Sequence, residues 1–418
     1  QRGYILAAFQ ALHEEMGDIF RLPLPGFKPV VLVGPEANHF VLVTARDNFL
    51  WRPEGDPVTN LLRHGVLVRD GEDHDMLRRR MQPALRRQML PGYVEAMWRY
   101  TDQVSARWDC SAPVDMLVEM RRVALLILMG ILFDVDFAPD MDRLWPAILR
   151  ILRYISPGFW LIWRHVPRPG YRGARREIDD YLYRIIRARR AAVGEAKDLL
   201  GLLVTAPEMS DDLIRDQLLT MLIAGHDTST ALLAWALYLL GSHPAVMARA
   251  QAEVDAVLGV DAPDFAHLEQ LVYLERTIKE TLRLYPPIHM GNRTAAVDLE
   301  FQGFRIPAGE RVVYSIYLTH RHPRYWPEPE RFDPDRFGPE QNRTRVPYTY
   351  LPFGGGPRNC IGAAFAEVEA KVVLARLLQN FHLKLVQTGV HPYMGATLEP
   401  RPGVIMLAQR RRVEDRRR

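Results

Sequence analysis

Cysteine is nearly absent. The 418 residues hold only Cys110 and Cys360, too far apart for a disulfide framework, so a reducing compartment is the default and each thiol must be explained singly. Long apolar runs are missing too: the longest, 123–133, falls short of the roughly 20 residues a bilayer-spanning helix needs and reads as a buried helix. No Gly/Ser-rich linker, low-complexity tract or internal repeat divides the chain, which allows one large domain over 1–418. Lysine stands only at positions 28, 197, 279, 371 and 384, so arginine carries the positive charge, and the net charge is +4. A nucleic-acid-binding chain would concentrate that charge beside a recognisable reading element. Only the 410–418 tail concentrates it, and that tail reads as solvated, so no nucleic-acid partner is expected. The chain opens on Gln1 rather than Met, which leaves open a removed upstream segment, an anchor included.

What is present is an ordinary globular composition, 48% hydrophobic and 25% charged, enough for a large buried core. Apolar spacing over 4–17 predicts a helix, and the apolar segments around 18–22 and 29–34 predict a strand pair bent at Pro25 and Gly26. The pattern is mostly helical over 73–290, with breaks at Pro83, Pro113, Pro157, Pro167 and Pro244, and helical again over 361–379. Segments rich in β-structure are expected at about 18–40, 293–337 and 380–408. The fold class is mainly α, with small sheets near both ends of the chain.

Three patches carry chemistry. Residues 353–362 read Phe-Gly-Gly-Gly-Pro-Arg-Asn-Cys-Ile-Gly and run into a helical stretch with apolar residues at Phe365, Val368, Val372 and Leu377. Cys360 therefore sits at a helix start, where the dipole and closely approaching backbone N–H groups favour a thiolate. Such a thiolate can hold haem iron and push electron density toward O–O cleavage. In the second patch, a long apolar stretch over 211–240 is interrupted by Ala224-Gly-His-Asp-Thr-Ser-Thr230. Glycine inside a helix costs about 1 kcal/mol against alanine, and Ser and Thr can bond carbonyls a turn back, so the patch is either a kink or a functional insertion. In the third, Glu280 and Arg283 fall on one helix face, a spacing also common at surfaces.

Phe353, Gly356, Arg358, Cys360 and Gly362 fit Phe-x-x-Gly-x-Arg-x-Cys-x-Gly, and on that motif the chain resembles the cytochrome P450 superfamily, nearly from end to end. The resemblance implies the cytochrome P450 fold and haem b (iron protoporphyrin IX) with Cys360 as thiolate ligand to the metal and Phe353, Gly354 and Ala224 beside the cofactor. Ala224, Gly225, Asp227, Thr228 and Ser229 match the family's oxygen-activating patch, which implies that Thr228 hydrogen-bonds bound dioxygen and Asp227 gates protons; His226 takes the variable position and is given no chemistry. Glu280 and Arg283 match the family's buried pair, with Arg331 of Pro329-Glu-Arg-Phe332 as third member. The haem propionates would be met by His74, Arg78, Arg293 and Arg358, His74 standing where Trp is more usual. Arg79, Arg80, Arg86 and Arg87 read as solvated or facing a partner.

By the same alignment Val66, Leu67, Val68, Ala224, Ile288, Met290, Ala396 and Thr397 line the substrate pocket, an apolar set that suits a fatty acid, a terpenoid or a carotenoid, in that order. The Ala224–Ser229 patch and Pro286-Pro287 look closer to the fatty-acid-hydroxylating and eukaryote-like branches than to the camphor-hydroxylating one. No flavin or iron–sulfur module follows the Cys360 region, so a separate ferredoxin or flavodoxin with its NAD(P)H-dependent reductase is the expected electron source. A cytoplasmic monomer is expected. Residues 144–166, with Trp145, Phe159, Trp160 and Trp163 among Arg150, Arg153 and Arg164, read as a substrate-channel lid or, alternatively, a peripheral membrane contact. The arginine bias goes with GC-rich bacterial genomes. A peroxide-dependent peroxygenase and a non-catalytic haem sensor are the rival readings, and neither needs the Asp227–Thr228 pair.

Overall fold

A computed structural model describes residues 3–22, 28–51, 56–109, 111–157, 168–192, 197–412 and 414. Cys110, the bend at Pro25 and Gly26, and Phe159, Trp160, Trp163 and Arg164 lie outside the described residues.

The organising element is the 32-residue helix Asp211–Ser242, about 48 Å long at 1.5 Å per residue. Ser210 caps it by accepting the Leu213 N–H (3.2 Å), and Asp211 and Asp212 occupy its first turn, where the dipole favours negative charge. Apolar residues on all its faces bury it almost throughout, as expected of a core helix. Around it pack Met116–Leu132, which Asp115 caps through the Leu117 N–H, together with Tyr171–Ala191, Val272–Leu284 and Ala363–Asn380. No single described helix is long and apolar enough to cross a membrane.

The main sheet joins both ends of the chain. Its strand order is Ile19–Arg21, Val30–Leu32, Arg311–Tyr314, Gly291–Ala295, Phe49–Leu50. Val30–Leu32 and Arg311–Tyr314 run parallel, with Val30 opposite Val312, and the other pairs are antiparallel. A second sheet orders Val114–Asp115, Ile405–Arg410 and Phe381–Leu385, and His391–Met394 pairs with Leu398–Arg401 in a hairpin.

Three expectations need correction. Residues 315–337 hold no strand, only the helix Ile316–Thr319 and a 3-10 turn, Pro334–Phe337; Pro323, Pro327, Pro329 and Pro334 remove the N–H groups a ladder would use. Within the helical span, Val114–Asp115 is a strand, and helix also forms earlier, at Pro57–Leu62. The basic tail is not wholly solvated, because Arg411 is buried with both terminal nitrogens 2.7 Å from Asp255.

Candidate active site

The Cys360 loop is folded back on itself. Its N–H donates to the Phe353 carbonyl at 2.8 Å, which sets both ends of the glycine-rich turn side by side. Gly356, at φ +65°, lies where a Cβ would stand 2.3 Å from the Leu42 carbonyl oxygen, so no other residue fits. Arg78, on the helix Gly71–Met81, grips the loop from outside, donating to Asn359 O and Oδ1 at 2.7 Å each. Burial raises the Cys360 thiol above its ordinary value, and the Gly362 N–H and the Arg78 charge oppose that rise. The helix-start effect thus acts in the expected direction but is outweighed by burial, a balance that a metal ion on the sulfur would reverse. Cys360 itself stays exposed at the end of its loop.

The long helix carries the second patch. In its central part, Ala224, Gly225 and Thr228 are partly exposed while Leu222, Ile223, His226, Asp227, Ser229 and Thr230 are buried. Thr228 Oγ1 donates to the Ala224 carbonyl at 2.7 Å, which leaves its lone pairs as acceptors. Asp227 is 2% exposed and faces away from solvent, accepting from Arg121 Nη2 (3.1 Å) and Thr397 Oγ1 (2.8 Å). Arg121 also binds Glu399, which Arg401 reaches at 2.9 Å. Ser229 donates to Glu369 at 2.6 Å, tying the long helix to the one that follows Cys360. His226 is buried, its imidazole lowered to about 4 by burial, and Nε2 has no partner among the described residues.

A basic cluster borders the loop. Arg293 and Arg358 both lie over the Trp51 ring, 3.8 and 4.6 Å from its centre, and Arg358 donates to Asp70 Oδ1 at 2.6 Å. Burial lowers the Arg358 guanidinium to about 10, and the Arg293 charge adds to the fall despite Asp70. Two guanidinium groups thus share one aromatic ring, and Asp70 meets one of them. His74 is different. It is 4% exposed, with Nδ1 2.8 Å from Asp75, and burial holds its imidazole below the ordinary value despite that carboxylate. Burial thus biases it toward the neutral form, unlike the arginines beside it.

Behind the loop, Glu280 and Arg283 are both fully buried and bidentate, at 2.7 and 2.8 Å. Arg283 also donates to the carbonyls of His320, Pro329 and Arg331. His320 Nε2 lies 2.9 Å from the Leu351 N–H, which carries the ion pair's order toward the cysteine loop. The third cation is not Arg331, whose exposed side chain pairs with Glu328. It is Arg336, with Nε 3.4 Å from Glu280. The signal was a second Pro-acid-Arg-Phe, Pro334–Phe337, five residues on.

The pocket residues divide. Val66 donates its N–H to Gln217 of the long helix (2.8 Å), fixing the loop that holds Leu67 and Val68. Ile288 is 42% exposed and Ala396 half-buried. Thr397 is 3% exposed and spends its hydroxyl on Asp227, so it positions the carboxylate instead of lining a pocket. Met290 packs on the N-terminal cluster that contains Leu6, Phe9 and Phe20. Arg121, Glu399 and Glu369 went unforeseen. Arg121 is in phase with buried Leu117, Leu125 and Leu128, and Glu369 with Phe365, Val372 and Val373, so a charge on an apolar stripe was the available signal.

An exposed thiol on a glycine loop, a buried helix partly opened at Ala224 and Thr228, and two guanidinium groups at Trp51 have the chemistry that a haem, with its iron and two carboxylates, would need. The chain matches the family described as Cytochrome P450 over residues 1–409. It is 33% identical over 413 residues to cyclooctatin synthase of Streptomyces melanosporofaciens, covering 94% of this chain and 87% of the relative. To cyclooctat-9-en-7-ol 5-monooxygenase of the same organism it is 31% identical over 391 residues, covering 88% and 83%. Among solved structures, the haem domain of cytochrome P450DA is similar with a TM-score of 0.90 at 30% identity, covering 99% of this chain and 95% of that one.

Proposed function

The chain belongs to the cytochrome P450 family of oxygenating oxidoreductases, and from that premise we propose that it is a monooxygenase holding haem b through Cys360 and hydroxylating a terpenoid. The balanced reaction takes substrate–H, dioxygen, two electrons and two protons to substrate–OH and water. The observation that carries the reading is the exposed Cys360 at the end of a glycine loop bound back to Phe353, together with a buried long helix partly opened at Ala224, Gly225 and Thr228.

Haem, when bound, supplies dioxygen reduction and C–H oxidation. The chain's own residues supply the rest. Arg293 and Arg358 would meet the propionates as fixed cations, with Arg78 bracing the Asn359–Cys360 turn and His74 donating as a neutral group. Thr228, its proton committed to Ala224, would accept a hydrogen bond from a water beside the haem and hold that water in place. Asp227 would return protons to that water after exchanging its contacts with Arg121 and Thr397. The first-ranked substrate class moves from fatty acid to terpenoid because one relative's name specifies an unsaturated alcohol as substrate of a monooxygenase and another the synthesis of the related cyclooctatin. Electrons would come from a separate ferredoxin or flavodoxin.

Two variants test the reading. Cys360→Ser should bind haem without the red-shifted carbon monoxide band that a thiolate ligand gives, and retention of that band would remove Cys360 from the site. Thr228→Ala should keep haem binding, since alanine has the higher helix propensity, but product per NAD(P)H should fall while hydrogen peroxide rises. Unchanged coupling would return the 224–230 patch to a structural kink. Turnover on peroxide alone, equal to that with a redox partner, would favour a peroxygenase instead.

A further inference from the structure

The first helix, Gly3–Met16, ends in a cluster that oxygenation does not use. His13 from its last turn, Asp18 from the approach to the first strand and His322 from beyond Ile316–Thr319 converge from three separate chain segments. Nε2 of His13 lies 2.7 Å, and Nε2 of His322 3.2 Å, from one and the same oxygen, Asp18 Oδ1. The two rings meet edge to face with centres 5.3 Å apart. One ligand atom from each residue lies within 4.8 Å of the other two. Both imidazoles are largely covered, 12% and 13% exposed, while Asp18 is 49% exposed, so the cluster opens to solvent on one side. A second carboxylate stands near: a carbon built on Gly34 would be 3.8 Å from Glu36 Oε2 and 4.0 Å from Asp18 Oδ2.

Two neutral imidazoles donating to one carboxylate would account for these distances. The same three atoms also have the composition and spacing of a transition-metal site. We propose that His13, Asp18 and His322 bind one divalent cation of the zinc class, with water in the open position. Imidazole and carboxylate are the donors zinc accepts, and bonds of about 2.0–2.2 Å at tetrahedral angles put ligand atoms roughly 3.3 Å apart. His322 and Asp18 already stand at 3.2 Å, and His13 has to withdraw by about 0.6 Å to reach that spacing. Ligation moves the His322 proton to Nδ1, so the long 3.2 Å approach of the Arg324 N–H to that atom opens. Because the ligands come from the first helix and from the segment after Ile316–Thr319, the ion would staple that helix to the body, beside the apolar contacts of Leu6 and Phe9 with Phe20 and Leu318. The proposal is independent of the oxygenation chemistry.

The test uses tag-free, haem-loaded protein, so that Cys360 is occupied, stripped with EDTA and titrated with zinc chloride by calorimetry. One saturable equivalent is expected, with a rise in melting temperature. In the His13→Ala/His322→Ala variant that equivalent should weaken at least about tenfold, since losing even an outer-shell partner costs 10–100-fold. Asp18→Asn, which preserves shape and hydrogen bonding, should weaken it too while leaving the haem spectrum unchanged. Absence of saturable zinc binding, or equal binding by parent and both variants, overturns the site and leaves a hydrogen-bonded cluster.

Discussion

Glu369 lies in the second turn of the helix after Cys360, 3% exposed, with Ser229 as its hydrogen-bond partner. Burial raises its carboxyl from 4.5 to about 8, against the pull of the Ser229 hydroxyl. Between those two values the folded chain keeps a proton that the unfolded chain has lost. The sign follows: this group's contribution to stability is whole below about pH 4.5 and declines as pH rises toward about 8, at a slope of at most about 1.4 kcal/mol per pH unit. Denaturant midpoints measured across that range should therefore fall more steeply in the parent than in Glu369→Gln, which stays neutral throughout. Parallel profiles would show that Glu369 is ionised in the native state. Asp227, two residues before Ser229, is buried to a similar degree yet has a cation and a hydroxyl to hold it. Two buried carboxyl groups on two packed helices thus differ in their partners: Glu369 has a hydroxyl alone, Asp227 a hydroxyl and a guanidinium.

At the scale of elements, the helix Val272–Leu284 and the turn Pro334–Phe337 are held together through Glu280. The Asp333 N–H donates to Glu280 Oε1 at 3.0 Å and Arg336 approaches the same oxygen. Arg331 meets this junction only through its backbone carbonyl, which accepts from Arg283. Arg336 stands beside this buried carboxylate as an ion pair without a hydrogen bond, so Arg336→Ala should cost about 1–3 kcal/mol, as expected when a buried charge loses a neighbouring cation, whereas Arg331→Ala should stay within about 0.5 kcal/mol. Equal losses in chemical denaturation would restore Arg331 to the network. Arg283→Ala is the severe case, because it strands a fully buried carboxylate, at about 3–5 kcal/mol, and frees three carbonyls at once.

Over the whole molecule, arginine gathers where the cysteine loop comes near the surface. Arg78 holds Asn359, next to Cys360, and the same helix and the turns after it carry Arg79, Arg80, Arg86 and Arg87, all exposed. Arg80 and Arg87 have exposed partners in Glu208 and Glu269, pairs that are worth little by themselves. This surface suits an acidic electron donor. Reduction by such a partner should slow with salt, because the screening length contracts from about 10 Å at 0.1 M to about 3 Å at 1 M. Reversing Arg79 and Arg80 to Glu should slow it further and flatten the salt response; stopped-flow reduction unchanged by the reversal would move the docking surface elsewhere.

Whatever depends on neighbours in sequence was legible beforehand. The glycine turn before Cys360, the polar insertion at 224–230 and the Glu280–Arg283 spacing each fit within a few turns of chain, where helix period and backbone sterics fix which groups meet. The alternation of helix and strand was legible in outline for the same reason, but not at 315–337, where prolines remove ladder donors, nor at Val114–Asp115 and Pro57–Leu62. The tertiary structure alone decided the partners across the core. Asp227 meets Arg121 and Thr397 at separations of 106 and 170 residues, Glu399 joins through a hairpin strand, and Arg336 displaces Arg331 because the chain turns once more at Pro334. It also decided protonation. The His74 imidazole and the Cys360 thiol are both driven toward neutrality by desolvation, a cost set by how many atoms surround a group in three dimensions and carried by no local pattern of residues.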